Sequence, residues 1–163
     1  MNFQALHLKC QVPYTSIMIN SRDIKLLHSR LQPLARVFVA NCQIAGVPVQ
    51  IISTLRDVEY QNFLYAQGRT RQGDIVTKAK GGNSWHEVAR AFDFVPLTKG
   101  QADFEDKTKA SIVRWEKCGK IGQALGLQWG GDPAYGFVDR PHFQMTDGLT
   151  RPQAGVLFAA GME

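Results

Sequence analysis

The strand-like stretches of this 163-residue chain are short and irregularly spaced, and that limits the fold more than any other feature. VPVQIIST, residues 47–54, is β-branched and alternating, so it reads as a strand that delivers Leu55 and Arg56 at its end. AFDFV, residues 91–95, alternates well enough for a second strand, with Ala91 and Asp93 on one face and Phe92 and Phe94 on the other. FVDRPHFQM, residues 137–145, reads as a third strand, bent at Pro141. Helical patterns separate these stretches without a regular βαβ rhythm. The expected class is therefore α+β, with a small, mostly antiparallel sheet flanked by helices in a single domain.

The helices have local signals. Ser21-Arg22-Asp23 opens SRDIKLLHSRLQ as a cap, and Pro33 sits where the first turn of a longer helix, LARVFVANCQIAG, begins before Gly46 stops it. Asp57 can cap VEYQNFLYAQ, whose apolar side would be Val58, Phe63, Leu64 and Tyr65, with Gly68 as its end. A helix from about Asp106 to Leu125 offers Ile112, Val113, Trp115, Ile121 and Leu125 to a core. Thr150 to Ala160 forms a last short helix before Gly161. The basic, Gly-rich run 69–83 is a loop near a surface site, and WGGDPAYG is a turn-rich connection. Residues 1–20 read as an appendage to a domain of residues 21–163.

A composition 44% hydrophobic and 20% charged is that of a globular chain able to bury one core. No apolar run approaches the roughly 18 residues of a membrane span, and the N-terminus lacks a basic region followed by a small-residue cleavage site, so no export signal is evident. Cys10, Cys42 and Cys118 are odd in number and far apart, which speaks for thiols rather than a disulfide framework or a structural zinc site. The formal charge of +5 favours a polyanionic partner, which nucleic acid, lipopolysaccharide and wall polymers all satisfy. Lys and Arg are spread out, however, and no nucleic-acid signature is present.

A catalytic zinc takes three protein ligands, usually imidazole nitrogens and a carboxylate oxygen, and keeps a fourth position for water. Only four histidines exist to be weighed. His7 lies in the appendage and His28 in an amphipathic stretch, both consistent with structural histidines. His86 and His142 stand in carboxylate-bearing surroundings, Ser84-Trp85-His86-Glu87 leading to Asp93, and Asp139-Arg140-Pro141-His142. The helical HExxH motif is excluded, because Glu87 is followed by Val88, Ala89 and Arg90.

Ser84-x-His86-x-x-Ala89-x-Ala91-x-Asp93 resembles the Ser-x-His-x-x-Gly-x-Ala-x-Asp signature of the zinc D-alanyl-D-alanine carboxypeptidase and L-alanyl-D-glutamate endopeptidase family, and Asp139-x-x-His142 resembles its acidic-x-x-His element. The likeness runs from Ser21 to Thr150 and is greatest to the phage and prophage endolysin branch, through LQPLARVFVA, STLRD, YAQGRT, AFDFVPL, LGLQWGG and VDRPHFQ. The resemblance implies a zinc cleft with His86, Asp93 and His142 as metal ligands, Asp139 as catalytic acid/base and Arg56 as an uncommitted cation stabilising the oxyanion. Ser84 either binds substrate or caps its turn. The implied substrate is the peptidoglycan stem peptide, cut at the L-Ala-D-Glu bond, by a monomer that accumulates in the cytoplasm until release to the wall and binds no nucleic acid.

Blander readings exist for each residue. Asp93 can be a strand-end turn residue, Asp139 and Arg140 a surface ion pair, Arg56 and Asp57 a helix-start pair, and Glu87 a solvated charge. Trp85, Trp129 and Tyr135 can line a cleft or pack in the core. Competing functions are a D-alanyl-D-alanine carboxypeptidase with the same zinc chemistry and an inactive wall-binding phage module. Ala89 is the departure within the signature: it strains the loop if that position needs a positive φ, and is tolerated if only close packing matters.

Overall fold

The computed structural model describes residues 18–135 and 138–162, apart from the side chain of Tyr135, so His7 and Cys10 lie outside the described residues. In chain order the elements are α1 (Leu31–Ile44), β1 (Val49–Ser53), α2 (Val58–Ala66), β2 (Ala91–Thr98), β3 (Gln101–Ala102), α3 (Lys109–Ala124), β4 (Gln128–Trp129), β5 (His142–Gln144) and α4 (Arg151–Ala159). The strands form one antiparallel sheet in the order β1-β2-β5-β4, with β3 paired to the end of β2. This is the α+β arrangement expected. Among the described residues no helix is long and apolar enough to cross a membrane.

Side-chain alternation along the strands divides the sheet into two faces with different tasks. Phe92 and Phe94 of β2 and Phe143 of β5 point to one face and are fully buried. There they meet Phe38 of α1 at ring-centroid distances of 5.7, 5.0 and 5.1 Å, and Trp115 of α3 lies 5.2 Å from Phe94. The opposite face presents Ile52, Asp93, His142 and Gln144 to a cleft.

The helices bury stripes at helical spacing. In α1 these are Leu31, Ala35, Phe38 and Cys42, and Pro33 lies in the first turn, where its missing N–H costs nothing. In α3 they are Ser111, Trp115, Cys118, Gly119 and Gly122, behind a Thr108 cap that accepts the Ser111 N–H. Cys42 and Cys118 are buried free thiols.

Several local expectations are corrected. SRDIKLLHSRLQ does not form a helix of its own: Asp23 caps a single 3-10 turn, Ile24–Leu26, after which Leu27 is extended and the His28 N–H goes to the Ala89 carbonyl. A tertiary bond ends what the local cap begins. The third strand is confined to His142–Gln144, and Asp139 to Pro141 form the turn before it. Val113 is exposed on α3, where small residues take the core-facing positions. In α2 the buried residue is Gln61 rather than the apolar set, and Val58 is exposed. At the start of the described chain, the Ile19 N–H donates to Asp57 and Asn20 bridges to Arg56.

Gly119 and Gly122 each cost about 1 kcal/mol of helix propensity relative to alanine. Close approach explains them: a Cβ at Gly122 would sit 2.2 Å from the Phe143 ring, and one at Gly119 would sit 2.4 Å from the Trp129 ring. Gly122→Ala is expected to destabilise the fold by about 1–3 kcal/mol through overpacking, despite the better helix former. Urea unfolding measures it, and a more stable variant would contradict the packing argument.

Candidate metal centre

β2 and β5 are paired so that Asp93 stands directly opposite His142. The strand register itself therefore supplies two of the three donors, and Asp93 is a mid-strand residue rather than a strand-end turn residue. His86 arrives from a 3-10 turn, Trp85–Val88, just before β2. Ser84 caps that turn and Glu87 closes a capping box, its carboxylate accepting the Ser84 and Gly82 N–H groups. Glu87 is buried, not solvated, with Arg151 of α4 3.5 Å away.

His86 Nε2, Asp93 Oδ1 and His142 Nδ1 converge. The two nitrogens lie 3.1 Å from the oxygen and 3.3 Å from each other. Donors about 2.0–2.1 Å from a tetrahedral zinc are separated by about 3.3 Å, so the triangle has the size such an ion requires. The far atom of each ligand is engaged as well. His86 Nδ1 donates to the Thr54 carbonyl at 2.7 Å, His142 Nε2 donates to Gln144 Oε1 at 3.0 Å, and Asp93 Oδ2 accepts from Arg56 at 2.9 Å. These bonds leave the Nε2 lone pair of His86 and the Nδ1 lone pair of His142 facing the shared point, the outer-shell arrangement that orients metal-binding histidines.

Electrostatics agree with that use. Burial lowers the His86 pKa and keeps the ring neutral, against the pull of Asp93. Burial alone would raise the Asp93 carboxyl, but the two facing imidazoles outweigh it and hold it well below the ordinary carboxylate range. Burial also works against a charged His142 ring; the bond and charge of Asp93, with Asp139 behind, turn the net shift upward. His142 must lose that proton to become a ligand, so acid competes with metal here.

Asp139 lies on the same cleft, brought in by the turn before β5. Its N–H donates to the Gly130 carbonyl, while the Gly130 N–H donates to His142. A Cβ at Gly130 would meet the Asp139 carbonyl at 2.6 Å, so only glycine allows this approach. Arg140 pairs with Asp106 at 3.2 Å, which leaves the Asp139 carboxylate for the cleft. Burial pushes that carboxyl up to about 6, against the pull of His142 and with a push from Asp93.

Arg56 is buried three residues beyond the end of β1, and it is committed rather than free. Its guanidinium donates to Asp93, Ser53 and Gln61, all at 2.9 Å, and its Nε is buried with no hydrogen-bond partner among the described residues. Gln61, missed in the sequence, passes the contact on to the Ala79 carbonyl at 2.7 Å. A signal existed: Gln61 falls three and four residues before Leu64 and Tyr65, a polar residue on an inward helical stripe. Trp85 lines the cleft, whereas Trp129 is buried with its indole N–H on the Arg140 carbonyl.

A family model described as D-alanyl-D-alanine carboxypeptidase matches residues 77–145, the span holding all three donors and Asp139. Peptidoglycan L-alanyl-D-glutamate endopeptidase CwlK of Bacillus subtilis (strain 168) is 36% identical over 123 residues, 73% of each chain. The chain belongs to the M15 peptidase family. M15 folds are also what it resembles in space. The L-Ala D-Glu endopeptidase ChiX of Serratia marcescens superposes with a TM-score of 0.51 at 22% identity, covering 78% of this chain and 89% of that one. The D,D-pentapeptidase VanY of the VanB-type vancomycin resistance cassette, solved as a variant in complex with Zn(II), gives 0.51 at 16% identity over 83% and 80%.

The alanine inside this M15 chain's signature is strained. Ala89 ends the His86 turn at φ 57° and ψ 18°, the left-handed region, while 4% exposed. That conformation costs an L-residue about 1–2 kcal/mol. Ala89→Gly relieves the strain and gives back part of the gain in unfolded-chain entropy and a lost methyl contact. A net stabilisation of about 1 kcal/mol is expected, with metal content unchanged. Thermal unfolding of the variant checks this, and a lower Tm would show the methyl contact to outweigh the backbone.

Proposed function

We propose that the protein is a zinc-dependent peptidoglycan peptidase that cuts the L-Ala-D-Glu bond of the stem peptide. The observation that carries the bond is the 36% identity to an enzyme of that specificity over most of both chains. The donor triangle of His86, Asp93 and His142 supports the metal. The described family model favours a second reading, a D-alanyl-D-alanine carboxypeptidase working with the same residues. The catalytic unit is residues 21–163. The endolysin-like flanking segments support a role in wall lysis after release from the cytoplasm.

Bound at the triangle, zinc would act as a Lewis acid and bring the pKa of water towards about 7. The chain's own residues divide the remaining work. Asp139 accepts the proton of the attacking water and returns it to the leaving amine. Arg56 holds Asp93 in place and sets a positive charge beside the developing oxyanion, acting through its field because Asp93, Ser53 and Gln61 take its hydrogen bonds. Ser84 contributes at the substrate side of the cleft while capping the His86 turn.

His86→Ala and His142→Ala are expected to lose zinc by metal analysis, whereas Asp139→Asn keeps zinc with activity lower by at least about a hundredfold. Near-normal hydrolysis by Asp139→Asn would overturn its role. Because Asp139 must be ionised to accept a proton and its pKa is about 6, kcat/KM should rise with pH through about 6 and fall below it. At full zinc occupancy, that limb should vanish from the residual activity of Asp139→Asn. Mass spectrometry of digested peptidoglycan decides the bond. New N-terminal D-Glu with L-Ala left on the glycan is expected, and released D-Ala alone would favour the carboxypeptidase.

A further inference from the structure

The cleft of about 490 Å³ around the donor triangle has an apolar wall that the hydrolytic chemistry does not use. Phe104 lies on it and is 62% exposed, and Val76 on the same cleft is 46% exposed. A lone exposed phenylalanine is ordinary. This one stands on a segment fixed on both sides. The Asp103 N–H donates to the Pro96 carbonyl, and the Asp103 carboxylate accepts from Thr98 and Arg114, each at 2.6 Å. The Glu105 carbonyl accepts the Trp115 indole N–H at 3.0 Å, and Asp106 pairs with Arg140 at 3.2 Å. The neighbours of Phe104 are thus anchored to β2, α3 and the Asp139 turn, while its ring is left facing solvent in the cleft.

Holding an aromatic ring in water at a fixed place forgoes burial that a slack loop would be free to recover. The anchor on Arg140 also sets the ring's position relative to Asp139 and His142, its neighbours in sequence. We propose that Phe104 is a substrate-specificity residue, packing its ring on a C–H-rich face of the wall fragment beside the scissile bond. This rests on the peptidoglycan reading above. Two parts of such a fragment carry that chemistry, an aliphatic side chain of the stem peptide and the pyranose face of the attached sugar. Ile52 and Leu64 also line the cleft.

The test compares wild type, Phe104→Ala and Phe104→Tyr on a disaccharide-bearing stem peptide and on the same peptide without sugar. Phe104→Ala is expected to raise KM about tenfold with kcat within about twofold, the signature of lost ground-state binding. Phe104→Tyr restores wild-type KM, and Tm and zinc content stay constant in both variants because the ring is exposed. A rise confined to the sugar-bearing substrate identifies the pyranose face; a rise on both identifies a peptide side chain. Unchanged KM on both substrates in an active, zinc-loaded Phe104→Ala overturns this inference and leaves the peptidase reading standing. Zinc-loaded wild type that cuts neither substrate overturns both.

Discussion

A carboxylate drawn largely out of water is costly unless opposite charge or donors meet it, and Asp93 is the carboxylate that organises this molecule. Its Oδ1 faces two imidazole nitrogens at 3.1 Å across the point where a metal would sit, and its Oδ2 accepts from a guanidinium. Each partner comes from a different part of the chain: His86 from the turn before β2, His142 from β5, and Arg56 from the segment just after β1. Satisfying one charge therefore ties three segments together at one point. Gln61 and the Ala79 carbonyl extend the same network to the cleft rim.

The sheet makes that convergence possible by separating packing from chemistry. Alternation puts Phe92, Phe94 and Phe143 against α1 and α3, and the residues between them in the cleft. A close-packed aromatic layer tolerates little sliding, so it holds the strand register that pairs Asp93 with His142. The glycines of α3 belong to the same argument, since they let the helix close over Phe143 and Trp129. A site on strands supported in this way is held more accurately than one on free loops.

Those parts of the fold that announce themselves locally were legible in the sequence. Asp57 caps α2, Gly46 and Gly161 end α1 and α4 with positive φ, and the alternation of AFDFV separates its Phe and Asp faces. The resemblance of the two histidine elements to a family signature named the residues that the structure brings together. What failed to show was non-local. The Ser21 and Asp23 side chains make the turn bonds their types suggest, yet the helix stops because His28 finds Ala89, 61 positions away. Glu87 and Gln61 look like surface polars because their partners are backbone groups and charges that only the fold supplies. Periodicity registers where a side chain points, not which distant group will meet it.

Ala89 shows how far such distant partners can over-determine a backbone. Its residue type disfavours the left-handed region, but the chain there has little choice. The capping box fixes the start of the turn, the Ala89 N–H closes it onto His86, and the Ala89 carbonyl is taken by His28. Beyond the turn, the Thr54 carbonyl that orients His86 is itself held, with its N–H on the Ser21 carbonyl and its hydroxyl on that of Asp23. Residues remote from the cleft thus set the tautomer and aim of a donor. Hydrogen bonds that orient a donor in this way lower the share of a metal's binding energy spent on arranging its ligands. The strain of one alanine is small beside that gain.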